Sequence, residues 1–343
     1  MTPPYTSRLD EPACLDQQRF GGKAAGLARL AATGAPVAAG FAVATAAHRA
    51  FLVESGWDAP LDAALRDGDG QAIRQITEQL ARAPVPDPVA AAIGQGYQRL
   101  CDQAGAAHLE VAVRSSATVE DGTAASFAGA YRTWLQVAGA EAVISRVRDC
   151  WCGSLTPSAL DYAGSRQIDP ARVGMAVVVQ QTVPALAAGV MLTVSPVTGD
   201  RSVIAIEASW GLGLAVVGGE VTPDRWTVDK VSLTVTGYTA GDKRIEYRRA
   251  AAPVAVEADR RARPCLSEGQ VIGLARLGKR IERAHGGAQD IEFAVDPQRL
   301  PGQELVLLQC RPETVWSRRA PRPRFAAGQP LTSWVTDAVT RHR

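Results

Sequence analysis

The sequence is poor in histidine and has few cysteines close enough to cooperate. Its four histidines, His48, His108, His285 and His342, stand far apart, so no HExxH helix or other clustered imidazole ligand set exists. Among the six cysteines only Cys150 and Cys152, in CWC, lie close together. A one-residue gap is not the spacing of a zinc knuckle, and ordinary reduced thiols are expected. No apolar run approaches the roughly 20 residues of a membrane span, and the opening MTPPYTSRLDEPACLDQQRF lacks the apolar centre of a signal peptide. The expected address is therefore cytoplasmic, with no membrane partner. Charge of either sign is not in excess: 37 Lys and Arg against 35 Asp and Glu leave a formal +2, which gives no reason to expect nucleic acid. A GxxxxGK[ST] loop is missing, and so is the regular strand-helix alternation of a doubly wound sheet.

What is present is a globular chain of 343 residues, 46% apolar and 21% charged, long enough for one large or two ordinary domains. GGKAAGLARLAATGAPVAAGFAV reads as a glycine turn, a helix with Leu27 and Leu30 inward, a Gly-Ala-Pro turn and a strand. Residues 46–107 look mostly helical, broken at Asp67–Gly70 and Ala83–Pro88. LEVAV, RVGMAVVVQQTV, AAGVMLTVS and SVIAIEASWG are strand-like, and a helix over about Ala140–Cys152 separates the first two. Val271, Leu274, Leu277 and Ile281 fall at helical spacing behind a candidate N-cap, Ser267. Two further strands, DIEFAV and ELVLLQCRP, follow. The mixture favours an α+β architecture in lobes over residues 1–318, with 319–343 a basic, proline-containing tail.

Several residues invite a chemical reading beside a structural one. Gly21-Gly22-Lys23 either lets backbone N–H groups and a lysine approach a phosphate or simply turns the chain into a helix. Arg114, at the end of VAV, needs an anion: a phosphate helped by Ser115, Ser116 and Thr118, or an ion pair with Glu120 or Asp121. In SFAGAY, Gly129 would allow a backbone to lie against a flat ligand. Gln180 closes MAVVVQ, where its amide either reads a base edge or caps the sheet, and Glu207 in VIAIEASWG needs a partner. In the last two strands a period of two puts Gln309 and Arg311 on one face, with Val306, Leu308 and Cys310 opposite. Glu292 likewise points away from Ile291, Phe293 and Val295, so a paired hairpin could offer Glu292 and Gln309 to one hard cation. The plain alternative is a solvated hairpin face.

These pieces, in this order over residues 20 to about 316, resemble the ATP-binding, ATP-grasp type domain of phosphoenolpyruvate synthase, pyruvate phosphate dikinase and rifampin phosphotransferase. The segments that carry the resemblance are GGKAAGLARLAATGAPVAAGFAV, VAVRSSATVEDGTAASFAGAY, GMAVVVQQTV, AAGVMLTVSPVTGD, IEASWGLGLAVVGGEVTPDRWTV and QDIEFAV…LVLLQCRPETVW. The resemblance implies a multi-lobed ATP-grasp fold with a nucleotide cleft between lobes. It implies that Lys23, Arg114 and Arg311 contact the ATP phosphates, that Gly129 and Thr133 line the nucleotide, and that Gln180 lies near the base. Glu292 and Gln309 would hold Mg2+. Two departures stand out: Leu214 follows GLG where the family usually has an acid, and Ala130 ends SFAGA in place of glutamine. The histidine of a TSHA-like motif, which takes phosphate from ATP in full-length relatives, has no counterpart among the four histidines. A split phosphotransferase is the expectation, resembling the ATP-binding subunit of phenylphosphate synthase and working with a histidine-bearing phosphocarrier subunit, with release of AMP and phosphate. The alternatives are a non-catalytic nucleotide-binding regulatory subunit and a direct ATP-dependent small-molecule kinase.

Overall fold

The computed structural model describes residues 4–119, 133–165, 167–249 and 252–317. Strand β1 (Thr6–Arg8) leads into helix α1 (Gln17–Ala32), strand β2 (Gly40–Val43), and helices α2 (Thr45–Glu54), α3 (Asp58–Asp67), α4 (Gly70–Leu80) and α5 (Asp87–Ala104). Strands β3 (Val111–Ala117) and β4 (Thr133–Val137), helices α6 (Ala140–Gly153) and α7 (Pro157–Ser165), and strand β5 (Met175–Gln181) follow. The second half holds β6 (Ala187–Leu192), β7 (Val203–Trp210), the single turn α8 (Leu214–Val217), β8 (Asp224–Asp229), β9 (Val235–Thr239), β10 (Ile245–Arg249) and β11 (Ala252–Ala255). Helices α9 (Ala258–Ala262) and α10 (Glu268–His285) and the strands β12 (Gln289–Val295) and β13 (Leu305–Pro312) complete it.

The strands form a five-stranded sheet in the order β1-β2-β5-β3-β4, a six-stranded sheet in the order β13-β12-β6-β7-β8-β9, and the pair β10-β11. This mixture of helices and antiparallel sheets agrees with the α+β expectation. Strand alternation divides the five-stranded sheet cleanly. Val111, Val113, Val177 and Val179 pack with Phe51, Ile93 and Trp151 of the surrounding helices. Ala112, Arg114, Val178 and Gln180, matched across the β3-β5 register, share the other face.

Helix α1 couples the two sheets. Leu27 and Leu30 are buried in one core with Ile206, Ile291, Phe293 and Leu307 of the six-stranded sheet and with Val271, Leu274 and Ile281 of α10. The same helix packs on β3, β5 and β13, and so holds the polar face of β3 opposite the β12-β13 hairpin. Farther out, Lys243 pairs with Asp224, both fully buried, and this ties β8 to the segment ahead of β10.

Local sequence explains the element ends. Asp16 accepts from the backbone N–H groups of Gln18 and Arg19 and starts α1 a turn before the glycines. The helix then kinks at Gly21, whose φ of 77° is in the left-handed region. Asp67–Gly70 is the break foreseen between helices: Gly68 closes α3 at φ 68°, and the Asp69 carboxylate caps α4. Ser267 caps α10 in a reciprocal pair with Gln270. Among the described residues no helix is long and apolar enough to cross a membrane.

Candidate functional site

A cavity of about 210 Å³ opens between the Arg114 face of the first sheet and the β6-β12-β13 side of the second. Ala112 and Gln180 form one wall, Ala188, Ala294 and Leu308 the other, and Leu212, Gly213, Leu214 and Val217 close one end. Thr133 and Leu135 also line it, and Thr133 lies opposite Arg114 in the β3-β4 register. The slot is largely apolar. Arg114 and Glu292 bring its charge.

Arg114 reaches across from β3 to the hairpin. Its Nη1 donates to the Leu308 carbonyl at 3.1 Å, and its Nη2 donates to Glu292 Oε2 at 3.1 Å and Gln309 Oε1 at 2.5 Å. The Arg114 side chain is 13% exposed, and its buried Nε–H has no partner among the described residues. The ion pair that the sequence demanded is thus made with a residue far away in the chain. Glu120 and Asp121 lie outside the described residues, as do Gly129 and Ala130.

Glu292 and Gln309 are direct cross-strand partners, and Asp290 is the partner of Arg311 one step farther. The strict period of two fails on β13, because a bulge between Glu292 and Phe293 leaves Leu308 as an extra residue opposite neither. Leu308 therefore joins Val306 and Ala294 beside the cavity rather than pointing away from Gln309. The bulge also presents the Leu308 carbonyl to Arg114. Arg311 is held by Asp290, through Nε at 2.9 Å and Nη2 at 2.7 Å to the same carboxylate oxygen. Burial raises Asp290 above the usual carboxylate value, although Arg311 pulls the other way.

The glycine turn has a steric explanation. A Cβ on Gly21 would lie 1.9 Å from the Ser116 carbonyl oxygen, so only glycine lets α1 approach β3 this closely. Ser116 Oγ donates to the Phe20 carbonyl and accepts from the Ala24 N–H, Thr118 Oγ1 accepts from the Gly174 N–H, and Ser115 hydrogen-bonds the Cys150 thiol. All three hydroxyls pictured as a phosphate nest are engaged by protein, because each faces a neighbouring backbone or thiol rather than the cavity. Lys23, half-buried on α1 two positions after the kink, influences the Cys150 thiol electrostatically and is not among the cavity's lining residues. Gln180 is buried and donates to the Ala38 carbonyl at a long 3.4 Å. Glu207 has its partner in Arg225, at 2.8 Å.

Three features of the site carry no sequence signal of their own: the Leu308 carbonyl, the Asp290 partner of Arg311, and the apolar end made by Leu212 and Val217. Thr182 Oγ1, buried beside the cavity without a partner among the described residues, could have been suspected only from its position after Gln180 and Gln181. The six cysteines are all buried, and none is joined in a disulfide. Burial pushes Cys14 and Cys152 up to about 11 and Cys150 up to about 12, so none of these three is poised as a thiolate.

Among the described residues no group of three or more His, Cys, Asp or Glu side chains is placed to hold a metal. One carboxylate and one amide oxygen, from Glu292 and Gln309, nonetheless converge on a single cationic nitrogen. Two hard oxygens of this kind fit magnesium, which takes few protein ligands when phosphate supplies the rest.

The family described as "Pyruvate phosphate dikinase, AMP/ATP-binding domain" matches residues 17–328. Phosphoenolpyruvate synthase of Aeropyrum pernix is 38% identical, over 87% of this chain and 41% of its own length. A probable phosphoenolpyruvate synthase of Methanothermobacter thermautotrophicus is 37% identical, over 90% of this chain and 46% of its own. Rifampicin phosphotransferase of Streptomyces sviceus is 36% identical, over 86% and 34%. The chain thus spans less than half the length of these curated relatives. With nearly all of its described residues inside the match, it belongs to the pyruvate phosphate dikinase AMP/ATP-binding domain family.

Proposed function

We propose that this chain binds Mg-ATP in the slot between its two large sheets and serves as the ATP-binding part of a phosphotransferase of the phosphoenolpyruvate synthase type. The observation that carries the reading is the meeting of Arg114, Glu292 and Gln309 beside an apolar cavity. An adenine would lie among Ala112, Ala188, Ala294 and Leu214, with the Gln180 amide at its edge. Arg114 and Arg311 would hold phosphates, with Lys23 a third cation. Thr133 and Gly129 would border the nucleotide. Glu292 and Gln309 would hold magnesium, whose contribution is to neutralise charge on the triphosphate.

Phosphoryl transfer needs positioning and charge neutralisation more than covalent help. These side chains would provide the cations, while the apolar walls exclude water and strengthen each charge. The acceptor would be a histidine of a partner subunit. Overall, ATP, water and that histidine give phosphohistidine, AMP and inorganic phosphate. Product analysis with the co-purified partner tests this. AMP and phosphate with a labelled partner histidine support it; ADP points to a direct small-molecule kinase, and ATP binding without turnover points to a regulatory subunit.

A further inference from the structure

Two roles that the proposed function gives to separate groups meet at one point in space. Glu292 Oε2 and Gln309 Oε1, the oxygens suited to a divalent cation, both accept from Arg114 Nη2, at 3.1 and 2.5 Å. Magnesium holds its oxygen ligands at about 2.0–2.1 Å. An ion between these two oxygens would fall within the volume of that NH2 group. It would also face a full positive charge at contact distance in a site only 13% exposed on the arginine side, where repulsion is poorly screened.

We infer that the Arg114 guanidinium and a divalent cation are alternative occupants of the Glu292–Gln309 pair. The cation site forms when an anion draws Arg114 away. This rests on the reading of the slot as a Mg-ATP site and adds an order to it: the phosphate chain arrives before or with the metal.

A second feature shows that the guanidinium has reason to move. Its Nε–H is buried and has no acceptor among the described residues, and an unsatisfied buried donor is costly. A phosphate beside the cavity can accept from Nε and Nη together, the planar fork for which arginine is suited. Moving there satisfies the orphan donor and frees both oxygens in one step. It also releases Nη1 from the Leu308 carbonyl, so a direct link between β3 and β13 is replaced by one through the phosphates.

The test uses Mn2+ as probe, read by electron paramagnetic resonance on the full chain without nucleotide. The wild type should bind Mn2+ only weakly. Arg114→Met and Arg114→Gln should each bind it roughly tenfold or more tightly, and Glu292→Gln in either background should abolish the gain. Equal Mn2+ affinity in the wild type and in either folded variant overturns the inference. Tight wild-type binding that Glu292→Gln removes overturns it as well, and that arm decides the matter should both arginine variants fail to fold. Failure of the Mg-ATP reading is seen separately, as no calorimetric ATP binding by the wild type, because the Mn2+ arms contain no nucleotide.

Discussion

A methyl group at position 21 would meet the Ser116 carbonyl oxygen at 1.9 Å, at a backbone φ of 77°. Gly21→Ala therefore carries both a left-handed penalty of about 1–2 kcal/mol and a clash that neither backbone can relieve without separating α1 from β3. Thermal melting should drop by several degrees, and ATP affinity should fall with it, since α1 sets the distance between β3 and the hairpin. Melting equal to wild type would show that the contact is not tight. Arg114→Ala acts differently at the same scale. On the proposed Mg-ATP reading it would remove a charge-assisted phosphate contact worth about 1.5–3 kcal/mol, so calorimetry should show roughly tenfold or greater loss of ATP affinity. Unchanged affinity would remove Arg114 from the site. Arg114 was legible in the sequence because a charge ending an apolar strand must find a partner, and Glu292 because it breaks the apolar alternation of its strand. The partner itself was not legible, because the Leu308 carbonyl belongs to no residue type and Glu292 lies 178 residues away.

At the scale of elements, legibility followed periodicity and length. Helix α10 showed its apolar stripe and its cap, and the structure has both, with Ser267 and Gln270 in a capping box. Strands β3, β5, β6 and β7 showed as apolar runs because they are buried in sheet interiors. Strands β9, β10 and β11 did not: they are short and mostly exposed or half-buried, so burial leaves no alternation in their sequence. The bulge in β13 was equally silent, since an added residue shifts the face of its neighbours without changing composition. The α10 cap offers a clean test because Ser267 is exposed and is not among the cavity's lining residues. Ser267→Ala should cost about 1 kcal/mol, a fall of roughly 2–4 °C in Tm, and leave ATP affinity as in wild type. A loss of affinity would mean that α10 positions the hairpin, which its packing on β12 and β13 makes a meaningful alternative outcome.

At the scale of the whole molecule, acid should weaken the fold in two separable stages. His48 stacks on Trp151 with ring centroids 5.5 Å apart, and desolvation pushes it down from 6.5 to about 4. Its folded value lies below its unfolded one, so between pH 6.5 and about 4 the unfolded chain binds a proton that the native protein refuses. Stability is therefore full above that window and falls as pH drops through it. Glu246 and Glu313 act lower down. Desolvation raises each, but it is outweighed, for Glu246 by hydrogen bonds from Arg260 and Arg248 and for Glu313 by the backbone N–H groups of Trp316, Ser317 and Val315. Both end below 4.5, so their contribution is present above that value and disappears as pH falls through their folded values. Asp290 has the opposite sign, because burial dominates and raises it; protonating it relieves a cost, and it cannot produce either loss. Melting temperature measured from pH 8 to pH 3 should thus be level, decline gently below about 6.5, and decline more steeply below about 4.5. His48→Gln should flatten the upper stage alone, and Glu246→Gln should weaken the lower one alone. If His48→Gln leaves the slope between pH 6.5 and 4 unchanged, the proton taken up there belongs to another group, and the packing of His48 on Trp151 does not hold its ring neutral.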